Sequence, residues 1–98
     1  MTTEIQGTFK IKITGKLLAI GSDILLKERA SNLIRKIDPG TKLEERNFAR
    51  IKYSYTWTGI PKNFGAANSV LKFLTEDIGK YLLDWETDIE MQLIESGE

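Results

Sequence analysis

The spacing of apolar residues switches repeatedly between two periods along this chain, and the order of the switches leaves few folds open. From Phe9 to Ile20, Phe9, Ile11, Ile13, Leu17 and Ala19 fall on one parity, and Lys10, Lys12, Thr14 and Lys16 on the other. A strand sends successive side chains to opposite faces, so this alternation predicts one half-buried strand. Gly15 keeps the apolar parity and marks a bulge or bend, with a tight hairpin at Thr14-Gly15 as the alternative.

Gly21-Ser22-Asp23 then breaks the strand and supplies a helix N-cap. From Leu26 the period becomes helical, with Leu26, Ala30, Leu33, Ile34 and Ile37 on one stripe. Asp38-Pro39-Gly40 stops that helix. Thr41 to Trp57 reads as extended chain: Ala49, Ile51, Tyr53, Tyr55 and Trp57 share one parity, and Phe48, Arg50, Lys52, Ser54 and Thr56 the other. A shorter strand at Thr41–Glu45, turning near Arg46-Asn47, is expected to precede it. A helix is predicted from about Asn63 to Leu83, burying Phe64, Ala67, Val70, Leu71, Leu74, Ile78, Tyr81 and Leu82. Trp85 to Glu95 alternates again, with Trp85, Thr87, Ile89, Met91 and Leu93 inward and Asp84, Glu86, Asp88, Glu90 and Gln92 outward.

The order is β-α-(β)β-α-β, and every clear strand has one apolar and one polar face. Helices on one side of the sheet satisfy that pattern, whereas strands buried on both faces would read as unbroken apolar runs. The expectation is one α+β domain spanning residues 1–98, a two-layer sandwich with an antiparallel or mixed sheet. With the extra short strand it is the ferredoxin-like plait, strand order 4-1-3-2.

That topology bears on the charges. The chain is neutral overall, yet residues 1–62 carry a net +6 and residues 63–98 a net −6. If the last strand pairs with the first, Asp84, Glu86, Asp88 and Glu90 share an open face with Lys10, Lys12 and Lys16 and are partly neutralised there. The remainder is a candidate binding surface: an acidic edge at Glu86, Asp88 and Glu90, and a basic strip at Lys12, Lys16, Arg50 and Lys52. Leu18, Ile20, Ile24 and Leu25 fall off the core pattern around one junction, and as a contiguous apolar patch they form a second candidate.

The 98 residues contain no cysteine and no histidine. Disulfides, thiolate sites, the commonest general base and the commonest zinc ligand are therefore absent. No P-loop, dinucleotide fingerprint or nucleophile elbow occurs, so no cofactor is implied. The row Glu86, Asp88, Glu90 is too flat to wrap a cation, so no metal is implied either. No run approaches a membrane span, and the first residues lack a signal-peptide pattern, so a cytoplasmic protein without membrane partners is expected.

Arg46-Asn47-Phe48-Ala49-Arg50-Ile51-Lys52-Tyr53 loosely resembles the RNP1 segment of the RNA recognition motif at Arg46, Phe48, Ala49, Ile51 and Tyr53. That resemblance implies a sheet surface on which Phe48 stacks a base, with Arg50 as a second stacking group. Asn47 and Arg50 depart from the family's glycine and aromatic, and Lys12 stands where the first strand needs an aromatic. The leading expectation is a non-enzymatic module that binds another protein or a second copy of itself. The alternative is a binder of single-stranded nucleic acid through Phe48, Arg50, Lys52, Lys12 and Lys16.

Overall fold

The computed structural model describes residues 4–62 and 66–96, with side chains over 7–62 and 66–90. The elements run β1 (Glu4–Leu17), α1 (Ser22–Ile34), β2 (Lys42–Asn47), β3 (Lys52–Gly59), α2 (Ala67–Glu76), a 3-10 turn at Ile78–Lys80, and β4 (Leu82–Ser96). The strands form one sheet in the order β2-β3-β1-β4, with every neighbouring pair antiparallel. This is the expected two-layer α+β sandwich, and its strand order is that of the ferredoxin-like plait.

Its core is the apolar face of the two central strands. Phe9, Ile11 and Ile13 of β1 and Tyr55 and Trp57 of β3 pack against Leu26, Ala30, Leu33 and Ile34 of α1 and Val70, Phe73 and Leu74 of α2. Two part-buried polar contacts fix α1 over β3. The Trp57 indole N–H donates to Ser31 Oγ at 3.1 Å, and the Tyr55 hydroxyl donates to the Asp23 carboxylate. Burial and that carboxylate together drive the Tyr55 hydroxyl far above the usual phenol range. Burial also pushes the Asp23 carboxyl up, but hydrogen bonds outweigh it and hold Asp23 below its ordinary value. Lys27 bridges Asp23 at 3.2 Å and Glu45 at 3.3 Å, which ties α1 to β2.

Four boundaries depart from the sequence reading. β1 ends at Leu17, so Ala19 is exposed rather than inward. The α1 N-cap is Gly21 in a left-handed conformation (φ 90°), and the Ser22 hydroxyl reaches backwards to accept from the Ala19 amide at 3.1 Å.

The extended segment from Thr41 to Trp57 is a hairpin, with its turn later than the one expected near Arg46-Asn47. β2 does exist, but it runs on to Asn47, and the turn occupies residues 48–51. Phe48 N–H donates to the Lys52 carbonyl at 2.8 Å, and the Asn47 side-chain amide donates to the Ala49 carbonyl at 2.6 Å. Alternation across a short turn mimics a continuous strand.

The second helix is far shorter than expected. It ends at Glu76, and the chain tightens to i→i+3 bonds, with Lys80 N–H to the Asp77 carbonyl and Tyr81 N–H to the Ile78 carbonyl, both at 3.0 Å. Phe73 is buried and Leu71 exposed, the reverse of the expected face. The predicted helix start at Asn63 and Phe64 lies outside the described residues, as do the side chains of Met91 and Leu93.

Leu82 belongs to β4, not to the helix. Between Thr14↔Glu86 and Lys16↔Leu83 the register with β1 slips by one residue, so the bulge near Gly15 lies in β4. Asp84 absorbs it at φ 49°. Gly15 makes room: a Cβ there would stand 3.1 Å from Trp85 Cβ and 3.2 Å from Leu82 Cβ.

Candidate interaction surfaces

Three connections meet at one end of the sheet. The Leu17 amide donates to the Ile51 carbonyl at 2.8 Å and the Leu18 amide to the Tyr81 carbonyl at 3.0 Å. The β1–α1 connection, the β2–β3 hairpin and the start of β4 are thereby held side by side. Leu18, Ile20, Ile24 and Leu25 lie on or beside the first, Phe48 and Ile51 on the second, and Leu83 on the third. Ile20 is fully exposed, and the other six are each 45–66 % exposed. Most of the large apolar side chains exposed among the described residues therefore gather at this end, although they are scattered in sequence.

The same end carries basic residues. Lys16 and Lys52 stand directly opposite each other in the β1–β3 register. Like charges facing across strands are unfavourable, and among the described residues the one counter-ion within 4 Å is Asp84, 3.8 Å from Lys16 Nζ. Arg50 occupies the hairpin tip. Of the candidate residues singled out from the sequence, Lys16, Leu18, Ile20, Ile24, Leu25, Phe48, Arg50 and Lys52 are thus brought together. Ile51 and Leu83 belong with them but were not read from the sequence: Ile51 has the parity of the β3 core, and Leu83 lies before the bulge.

Lys12, Glu86, Asp88 and Glu90 lie higher on the open face. The registers line up Glu44, Thr56, Lys12 and Asp88 in one row across the four strands, and Lys42, Thr58, Lys10 and Glu90 in the next. Acidic β4 does stand beside basic β1, as the charge split implied. The contacts are loose, however: among the described residues the one ion pair on this face within 4 Å is Lys16–Asp84.

On the opposite side of β4, Ile89 and Leu71 are partly exposed around a groove of about 200 Å³, lined by Ile11, Ile37, Ala67, Val70, Leu71 and Ile89. Both Ile89 and Leu71 were expected in the core.

A concavity of about 520 Å³ lies at the far end beside Phe9, Lys10, Asp38, Lys42 and Glu90. Its buried carboxylate is committed to the fold. Asp38 accepts from the Gly40 amide at 2.9 Å and the Ile60 amide at 3.0 Å, and Lys62 Nζ stands at 3.6 Å. The Ile60 and Gly40 amides hold its carboxyl below the usual carboxylate range. Among the described residues no helix is long and apolar enough to cross a membrane.

Neither a family model nor a curated protein matches the chain. Solved structures do resemble its fold. A de novo designed protein superposes at TM-score 0.55 and 7% identity, over 89% of this chain and 96% of that one. A protein provisionally called PII-like and signaling, from Thermus thermophilus, gives 0.54 at 11% identity over 96% and 93%. A Dabb family protein with a ferredoxin-like fold, from Mesorhizobium loti, gives 0.52 at 13% identity over 91% and 100%. Identities this low carry the fold alone, and a designed chain among the neighbours illustrates that this fold does not imply a function.

Proposed function

We propose that this chain is a non-enzymatic protein-interaction module that docks a partner on its apolar end. The observation that carries this reading is the gathering of seven exposed large apolar side chains, from three separate connections, around the facing pair Lys16 and Lys52. Exposed apolar surface of this kind costs solubility unless something covers it. A facing lysine pair costs stability unless an anion answers it. The fitting partner presents apolar side chains flanked by Asp or Glu. A second copy docking end to end would bring the two basic rims together, so the charge favours a different protein.

The nucleic-acid alternative draws less support. Phe48 and Arg50 sit on the hairpin turn, off the sheet face where the RNP1 resemblance needs them.

A photo-crosslinking residue at Ile20, compared with one at the exposed Lys36 just beyond the C-terminal end of α1, tests the proposal in cells of the native host. The expected result is a discrete protein adduct from position 20 alone, lost when Arg50→Glu and Lys52→Glu are added. Equal adducts from both positions, no adduct, or strong sedimentation of the protein with phosphatidylserine vesicles would overturn it.

A further inference from the structure

We infer that the free edge of β4 captures an extended basic segment of another protein as a fifth strand. This surface is distinct from the apolar end, and its variants leave that end untouched.

Among the described residues the sheet order leaves two edges open, and they differ. β2 is six residues long and exposed throughout, with Lys42, Glu44, Glu45 and Arg46 supplying charges of both signs and Glu45 tied back to Lys27 at 3.3 Å. Short, charged edges of this kind resist pairing. β4 is fifteen residues long, and among the described residues its backbone is paired on one side only, to β1. Its outer row of N–H and C=O groups is a template for an added strand.

The side chains of β4 specify which strand. On the open face, Glu86, Asp88 and Glu90 present three carboxylates at alternate positions. On the helix-side face, Ile89 borders the aliphatic groove that runs to Leu71 of α2. An added strand would lay one parity against the acids and the other along the groove. It must therefore alternate Lys or Arg with aliphatic residues.

The chain already contains a strand of that chemistry on the inner side of β4. β1 sets Lys10 opposite Glu90, Ile11 opposite Ile89 and Lys12 opposite Asp88. The carboxylates lie between the two flanking strand positions, and none of these three makes an ion pair within 4 Å among the described residues. They remain available to cations arriving on the outer side.

The same row excludes a second copy joined edge to edge. Two antiparallel β4 strands would set one row of carboxylates against the other, and like charges directly opposite are destabilising. The row of acids makes this edge selective for a basic strand.

The test uses the full 15N-labelled chain and a nine-residue peptide alternating lysine with valine. The controls are a peptide of the same composition with the two residues in separate blocks, and one alternating glutamate with valine. The expected result is amide shifts and slowed hydrogen exchange concentrated at positions 86–90, with affinity falling as salt rises. Asp88→Asn with Glu90→Gln should weaken binding about tenfold, the size expected of two lost cross-strand charge pairs. Leu71→Glu, at an exposed site on the groove, should weaken it independently. Thermal unfolding of each variant separates lost binding from lost fold. The inference is overturned if the blocked peptide binds as well as the alternating one, if the shifts map to Lys42–Asn47, or if the chain dimerises through β4 unaided.

Discussion

Asp38 is the most severe single test of how this fold is held together. Its carboxylate staples the α1–β2 connection to the end of β3, accepting from the Gly40 and Ile60 amides at 2.9 and 3.0 Å while only 4 % exposed. Hydrogen bonds to a charged group contribute about 1.5–3 kcal/mol each, so the two together are worth roughly 3–6 kcal/mol gross. Asp38→Asn keeps one acceptor of neutral strength and turns an N–H₂ toward the other amide. The expected loss is about 2–3 kcal/mol, or about 8–20 °C in Tm for a domain of this size.

The pH dependence follows from the sign of the shift. The carboxyl is held below its unfolded value by the two amides, with Lys62 adding to the effect. Its contribution is complete above the unfolded value of about 4 and is lost as pH falls through the folded one. Urea unfolding followed by Trp57 and Trp85 fluorescence, from pH 7 down into the acid limb, reads both quantities. Asp38→Asn should be less stable at pH 7 and show a flatter acid limb. A variant within about 0.5 kcal/mol of the parent, with an unchanged acid slope, would refute the staple.

Three further outcomes can be checked with the same unfolding assay. Gly15→Ala should cost about 1–3 kcal/mol, because the new methyl meets Trp85 and Leu82 at 3.1–3.2 Å; an unchanged midpoint would show that the bulge yields freely. Tyr55→Phe should cost about 1–2 kcal/mol, and a double-mutant cycle with Asp23→Asn should give a coupling above about 0.5 kcal/mol; additive effects would mean that the hydroxyl–carboxylate bond contributes nothing. Ile20→Glu should leave stability within about 0.5 kcal/mol, since the side chain is fully exposed; a larger loss would mean that Ile20 serves the fold rather than a partner.

Much of the architecture was legible because period reports burial. The stripe Leu26, Ala30, Leu33, Ile34 and Ile37 is buried throughout, and so are Phe9, Ile11, Ile13, Tyr55 and Trp57. The pairing of acidic β4 with basic β1 also follows from the one-sided strands and the plait topology.

The departures arise where period ceases to track geometry. At the bulge, inward positions change from even to odd numbers across Asp84, so Leu82 joined the helix in the sequence reading when it starts the strand. In the β2–β3 turn, alternation continues with no strand beneath it, so Ile51 looked buried and Phe48 looked like part of a sheet face. Of the apolar end, the Leu18–Leu25 portion was visible as a local excess of misplaced apolar residues. Phe48, Ile51 and Leu83 join it only through the Leu17–Ile51 and Leu18–Tyr81 backbone bonds, which no local pattern encodes.

The central claim is that the apolar end, with Lys16, Arg50 and Lys52 around it, docks an acidic, apolar partner. Calorimetric titration of this chain with the protein crosslinked at position 20 tests it most directly. The account predicts that Ile20→Glu and Leu25→Glu each weaken binding by about tenfold or more, as truncated interface anchors do, while Leu71→Glu on the distant groove leaves the affinity unchanged. Equal affinity for the Ile20 and Leu25 variants and the parent, or a loss as large for Leu71→Glu, would contradict it.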